Sequence, residues 1–266
     1  MTDGAADILP TALFLAKRST GENMDFLTEV FGPLSEDLQK FGSDFYANFI
    51  KDDRWMWLVN GLKVTILVTI LALIIGVIIG FVVAIIRSSH EKNGNFIILN
   101  GICKVYLTII RGTPSMIQIL FMYLVVFGSV NMNQIVVGGI AFGINSGAYV
   151  AEIVRSGIMA IDQGQTEAGR SLGLSGRQTM WLIVIPQAFK NVLPALVNEM
   201  IVLIKETAII GYIGVQDLTK AVMVIQSRTF NVALPLLAAA LIYLALTMLL
   251  TFFMTKLERR LRKNER

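Results

Sequence analysis

The sequence predicts an all-α, polytopic membrane helix bundle with five transmembrane spans, and three observations carry that expectation. Of the 266 residues, 55% are hydrophobic and only 16% charged, and the mean hydropathy is +0.65, well above the ordinary soluble range. The apolar residues are gathered into runs long enough to cross a hydrocarbon core of about 30 Å. Lysine and arginine collect in alternate connections between those runs, as they do at the inner face of a membrane. A single cysteine and the lone histidine, His90, leave no intramolecular disulfide and no zinc framework. The net charge of +4 and the pI near 9.2 point to membrane rather than nucleic acid, because the basic residues lie between apolar runs and not on a soluble domain.

The first span is expected at about residues 62–86, where Lys63 is the one charge. No Asp, Glu, Lys or Arg occurs from Gly112 to Ala151, and Gly128–Gln134 (GSVNMNQ) is the one turn-forming cluster in that stretch. It divides two spans, at about 97–127 and 134–153. The remaining spans are expected at about 192–213 and 232–255. An odd number of spans sets the termini on opposite sides. The tail beyond Thr255 carries Lys256, Arg259, Arg260, Arg262, Lys263 and Arg266 and is expected in the cytoplasm, whereas residues 1–60 hold five basic residues against ten acids and are expected outside. The chain thus divides into an external segment (1–56), a membrane domain (57–258) with a cytoplasmic loop at 155–191, and a basic cytoplasmic tail (259–266).

Within the external segment, the acidic start and the short apolar stretch broken by Pro10 argue against a cleaved signal peptide. Leu34, Leu38, Phe41, Phe45 and Phe49 recur at three and four residues, which predicts an amphipathic helix on the outer membrane surface, anchored by Trp55 and Trp57; the alternative is a poorly ordered tail. In the spans, Ala72, Gly76, Gly80 and Ala84 form one small-residue stripe and Gly139, Gly143, Gly147 and Ala151 a second. Such stripes let helix backbones approach closely in lipid. Pro114, in Arg111-Gly112-Thr113-Pro114, removes a ladder donor and moves Thr113 off helical angles, so a kinked or partly interfacial helix is expected there.

The fourth span carries Asn198, Glu199, Lys205 and Glu206, which at 100° per residue share roughly a third of the helix circumference. Charges at membrane depth are costly and face a bundle interior or a water-filled cavity. This face is the expected lining of a polar path; the alternative is an internal ion pair or a subunit seam that meets no solute. Tyr149 and Arg111 are further candidates, although Tyr149 can simply pack and Arg111 can anchor to headgroups. Glu152 and Arg155, three apart, are expected to pair.

In the cytoplasmic loop, a short helix is expected over Gln165–Leu172, capped by Thr166 and ended by Gly173, and a second over Gly176–Ile185, stopped by Pro186. Glu167-Ala168-Gly169, Gly173, Ile183 and Pro186 resemble the EAA signature of ABC importer permeases, Glu-Ala-Ala, three residues, Gly, nine residues, Ile-x-Leu-Pro. Gly169 stands where alanine is usual and Ile185 where leucine is usual; a glycine there can loosen the helix by up to about 1 kcal/mol. The resemblance extends to the polar amino acid uptake branch through Asn60–Thr69, Tyr106–Phe121, Ser146–Ile158 and Asn198–Ile210, and covers about residues 45–258.

That resemblance implies a multi-pass permease of a prokaryotic plasma membrane. It implies pairing with a second permease, identical or homologous, a separate ATP-binding subunit that docks on the loop through a coupling helix at Glu167–Gly173, and an extracytoplasmic solute-binding protein. No nucleic acid partner is implied. The sequence contains no Gly-x-x-x-x-Gly-Lys-[Ser/Thr] loop, so ATP and magnesium belong to the partner and no cofactor is expected in this chain. Asn198 and Glu199 are the foremost candidates to touch solute. The rival expectation, a self-sufficient secondary carrier or channel coupled through Lys205 and Glu206, calls for inverted repeats or paired broken helices, which the sequence lacks. A membrane enzyme would need a clustered nucleophile, metal site or acid/base pair, and His90 alone in a polar loop reads as a solvated surface residue.

Overall fold

A computed structural model describes residues 37–263, helical throughout apart from short connections. Helix α1 (residues 37–45) widens into a π turn over Tyr46–Ile50. Its phenylalanines stack in sequence, with ring centroids 6.3 Å apart for Phe41 and Phe45 and 5.1 Å for Phe45 and Phe49. Leu38, Phe41 and Phe45 of the apolar stripe are exposed and Phe49 is buried. The Arg54 guanidinium folds back onto the Ala47 carbonyl and the Asp52 carboxylate, closing this unit. Leu34, the signal-peptide expectation and the last three residues of the basic tail lie outside the described residues.

The membrane unit begins with α2 (Trp55–Asn93), which extends the expected span at both ends. The second run is broken: α3 (Ile97–Gly112) and α4 (Ser115–Phe121), which continues as a π turn over Met122–Val126, meet at 110° across Thr113-Pro114. The break is sharper than the expected kink because Thr113 is fully extended, with φ −124° and ψ 150°. Helix α5 (Gln134–Met159) is capped by the Asn133 side chain, which accepts from the Ile135 amide, and outruns its expected end by six residues. α6 (Gln163–Ser171) and α7 (Gly176–Thr179) form the loop.

Two expectations in this region are corrected. The α6 cap is Asp162, whose carboxylate accepts from the Gly164 amide, and not Thr166. Pro186 does not stop the second loop helix: a π turn at Met180–Val184 leads directly into α8 (Ile185–Glu206), where Pro186 occupies the first turn. The Ile185 amide donates to the Met180 carbonyl across the junction, so the widened π turn carries the helix past Pro186, which has no donor of its own. The fourth span therefore starts seven residues earlier than expected and passes at Thr207 into a 3₁₀ stretch ending at Ile213, with Gly214 left-handed at φ 90°. Another helix, α9 (Leu218–Thr229), was not foreseen; Asp217 caps it, accepting from the Lys220 amide at 2.8 Å. The last helix, α10 (Ala233–Lys263), runs beyond the expected end of the fifth span.

Three of these helices, α2, α5 and α10, are long and apolar enough to cross a membrane, and the bent α3–α4 pair makes a fourth. The 22-residue α8 has the length of a crossing but carries Lys190, Glu199, Lys205 and Glu206.

The core is the contact between α2 and α5, made through the two small-residue stripes. A Cβ on Gly76 would meet Ser146, and one on Gly80 would fall 2.5 Å from Val150 Cγ1 and 2.9 Å from the Ala151 amide; from the other side, one on Gly143 would fall 2.6 Å from Ile75 and 3.2 Å from the Ala72 carbonyl. Val68, Ala72, Phe142, Leu203 and Ile210 complete a buried cluster shared by α2, α5, α8 and the 3₁₀ stretch. Thr69 and Thr207 hydroxyls bond across it at 3.2 Å. α10 lies outside this core with Leu241, Leu244, Met248 and Phe252 exposed, as a lipid-facing helix requires.

Gly80→Val should lower the thermal midpoint of the detergent-purified protein, because overfilling this contact costs about 1–3 kcal/mol or more. Gly101→Ala on α3, where nothing lies within 4 Å of the added methyl, should leave it unchanged or raise it by the equivalent of about 0.5–1 kcal/mol. Equal midpoints for the two variants would refute the close-packing account.

Candidate functional site

The break between α3 and α4 creates backbone acceptors without helical donors, and Gln118 answers them. Its amide nitrogen donates to the Ile110 carbonyl (2.8 Å), the Thr113 carbonyl (3.0 Å) and the Thr113 hydroxyl (2.7 Å). Its oxygen accepts from Asn145 of α5 at 2.9 Å. The next residue on α5, Ser146, is fully buried and donates to Glu199 Oε1 of α8 at 2.8 Å. The broken helix, α5 and α8 are thus joined inside the bundle by the adjacent polar residues Asn145 and Ser146. Gln118, Asn145 and Ser146 were not singled out from the sequence, where neutral polar residues in apolar runs carry no distinctive signal.

The four polar residues of α8 do not share one environment. Glu199 is 9% exposed and turned into the bundle, and Glu206 is half-buried, whereas Asn198 and Lys205 are exposed on the outer side of this chain. The adjacent residues of each pair diverge by 100°, enough to turn one inward and leave the other outside.

Arg111 and Tyr149, the further candidates, meet each other. The Arg111 guanidinium lies 5.9 Å from the centre of the Tyr149 ring and 3.9 Å from Glu152. Glu152 is the hub of a charge network: Arg155 bonds it as expected, and Arg87 of α2 approaches to 3.9 Å. Glu91 joins Arg87 at 3.5 Å and Arg155 at 3.9 Å. Glu152 is six residues beyond Ser146, so this network sits about 9 Å along α5 from the Glu199 contact. His90, expected to be a solvated surface residue, places Nδ1 2.9 Å from the Asn95 carbonyl in an exposed contact at the turn from α2 to α3.

In the loop, the residues of the spaced motif come together. α6 ends in a Schellman arrangement: the Leu174 amide donates to the Gly169 carbonyl and the Gly173 amide to the Arg170 carbonyl, with Gly173 at φ +85°. Gly169 is buried, and a Cβ there would fall 2.7 Å from Ile183 Cδ1 and 2.9 Å from Thr179 Cγ2. The expected loosening by Gly169 is therefore offset by the close seating of α6 on the π turn. Ser175 and Gln178 form a reciprocal capping box that starts α7. Glu167, Ala168 and Pro186 are exposed, and Leu172 projects at the tip with 82% of its surface exposed. Leu172 was not singled out from the sequence; its signal was its place beside the terminating glycine.

A polytopic helical bundle with a broken span, a buried inter-helix carboxylate and two short helices in its long loop places the chain among integral membrane proteins. Residues 76–263 match the family described as binding-protein-dependent transport system inner membrane component, and the chain belongs to that family. It is 41% identical over 161 residues to the putative glutamine transport system permease protein GlnP of Rickettsia bellii, covering 59% of this chain and 72% of the relative. It is 40% identical over 169 residues to the arginine transport system permease protein ArtQ of Bacillus subtilis, covering 62% and 76%. A crystal structure of an amino acid ABC transporter with histidines superposes with a TM-score of 0.71 at 41% identity, over 77% of this chain and 94% of that one. The MetNI methionine transporter, at 20% identity and a TM-score of 0.69, shares the fold. The chain is accordingly a multi-pass inner-membrane transport subunit and not an enzyme.

Gly173→Ala should increase amide exchange in the last turn of α6, since a left-handed alanine costs about 1–2 kcal/mol. Gly169→Ala should do the same, and Ile183→Val, which removes the nearest methyl, should restore protection. A coupling of about 0.5 kcal/mol or more in that double-mutant cycle, read by hydrogen exchange, is the expected result.

Proposed function

We propose that this chain is the permease of an ATP-driven importer of polar amino acids, with five crossings, the N-terminus outside and the C-terminus in the cytoplasm. The family membership and the similarity to glutamine and arginine permeases support this reading. One observation carries the mechanism: α8 presents Asn198 and Lys205 on an exposed face while Glu199, one residue away, is held inside by Ser146. A lysine left facing lipid within a span is costly. A second permease, identical or homologous, covers that face and turns it into a water-lined path.

Asn198 and Lys205 then line the path, and Lys205 attracts the carboxylate of an amino acid. Glu199 is the partner for its ammonium, reached when the Ser146 bond opens, and a low-dielectric site strengthens both pairings. Glu206 lies on the same side of α8 as Glu199 and extends the acidic character of that side. Arg111 and Tyr149, tied to Glu152, serve as part of the cytoplasmic closure rather than as solute contacts. A separate ATPase, which holds the ATP and magnesium, receives the loop at Glu167, Ala168 and Leu172. Gly169, Gly173, Ile183 and Pro186 keep α6 and α7 rigid enough to transmit its closure to α8 as a rigid-body movement. An external solute-binding protein delivers the amino acid.

Two measurements test this. Glu199→Ala should reduce amino acid uptake in reconstituted vesicles at least tenfold while the ATPase still co-purifies; wild-type uptake would remove Glu199 from the path. Glu167→Lys and Leu172→Asp should each abolish ATPase co-purification while the permease elutes as a folded species. Retention of the ATPase by both variants would overturn the docking role of α6.

A further inference from the structure

A cleft of about 680 Å³ opens between the loop helices and the spans, away from the tip of α6. Its walls are apolar: Phe81 and Ile85 from α2, Trp181 from the π turn and Phe189 from α8. Ile85, Trp181 and Phe189 are 58%, 62% and 52% exposed, so the cleft is open along this side. Its rim is basic. Arg170 comes from α6 and Arg177 from α7, and Arg170 Nη1 lies 3.1 Å from the Cβ position of Gly176, which sets the Arg170 guanidinium at the start of α7, beside the residue that precedes Arg177.

Arg54, Arg87, Arg111 and Arg155 each have a carboxylate within 4.0 Å, and Arg228 stacks on Trp57. Among the described residues, neither Arg170 nor Arg177 has an acidic partner. Ser88, on the cleft wall, has a buried hydroxyl without a hydrogen-bond partner. From Phe81 to Ser88 the wall runs about 10 Å along α2, from the end of the predicted first span into the basic connection beyond it. That is the depth over which a phospholipid changes from acyl chain to headgroup.

We propose that this cleft binds an anionic phospholipid of the cytoplasmic leaflet, its phosphate between Arg170 and Arg177, its glycerol region at Ser88 and its acyl chains along Phe81, Ile85, Trp181 and Phe189. Two unpaired cations above an apolar wall complement a two-chain amphiphile with a negative head, and basic pockets between helices on the cytoplasmic side are suited to such headgroups. Free phosphate does not use the apolar wall. The lipid bridges α6 and α7 to α2 and α8, so it braces the loop against the membrane. The proposal rests on the cytoplasmic placement of the loop and not on the identity of the solute.

The test uses full-length protein in which Trp55→Phe and Trp57→Phe leave Trp181 as the sole tryptophan. In mixed micelles, brominated phosphatidylglycerol should quench Trp181 at about thirtyfold lower mole fraction than brominated phosphatidylcholine, from about 1 kcal/mol for each of two arginines. Arg170→Gln/Arg177→Gln should erase that preference, the single Arg177→Gln at an exposed position should lose about fivefold of it, and Arg228→Gln on α9 should retain it. Equal quenching by the two lipids, a preference that survives in the double variant, or displacement of phosphatidylglycerol by inorganic phosphate would overturn the proposal. Absence of quenching by either lipid would do so as well, since the cleft is then covered by protein. ATPase capture is read on the same samples: its loss with the lipid preference intact is a failure of the docking role alone.

Discussion

The close contact of α2 with α5 is the constraint on which the rest of this bundle depends. In lipid there is no hydrophobic penalty for separating two apolar helices, so their association rests on dispersion contacts over a shared surface. Glycine and alanine at every fourth position provide that surface, and each stripe receives large side chains of the other helix: Ile75 lies over Gly143, and Val150 over Gly80. With α5 held this way, Asn145 and Ser146 point at the two elements that pack beside it, the broken α3–α4 pair and α8. Helix packing thus decides where the buried polar groups meet.

Those polar groups also account for the irregular parts of the fold. Proline at 114 opens the α3–α4 helix by 110°, and in a membrane the freed carbonyls must be satisfied internally. Gln118 supplies the donors and passes the connection on to α5. At the other end of the bundle, Glu152 holds arginines from α2, α3 and α5 in one network. The two polar centres lie on the same helix, so a movement of α5 relative to α2 disturbs one and a movement relative to α8 the other. Alternating access by rigid-body motion needs coupling of this kind between the two ends of a path.

The loop shows how a spaced motif acquires its meaning. Glu167 through Pro186 can be matched to a signature as a string, yet the reason for glycine at 169 lies fourteen residues away, in the methyl of Ile183. Substituting alanine for glycine on a free helix raises stability, whereas here the added methyl meets Ile183 and Thr179 at less than 3 Å, so one of them must shift. Leu172, exposed beside Gly173, and the unpaired Arg170 and Arg177 face different directions from the same small unit. One surface is available to a soluble partner and the other to the bilayer.

From the sequence alone came the helical membrane class, the positions of the apolar runs, the pairing of Glu152 with Arg155 and the two stripes of small residues, because each is a local pattern of composition or period. The motif around Glu167 was legible for the same reason, since its spacing is preserved along the chain. Only the tertiary structure decided that Pro186 opens α8 instead of closing the loop helix, since a proline reads the same before and after a helix start until its upstream neighbours are known. It separated the surroundings of Glu199 and Glu206 from those of Asn198 and Lys205, set Arg111 over Tyr149 and beside Glu152, and joined Gln118 to Asn145 and Ser146 to Glu199. Those outcomes depend on which helix face meets which neighbour, and a linear pattern of apolar and polar residues contains the faces but not the neighbours.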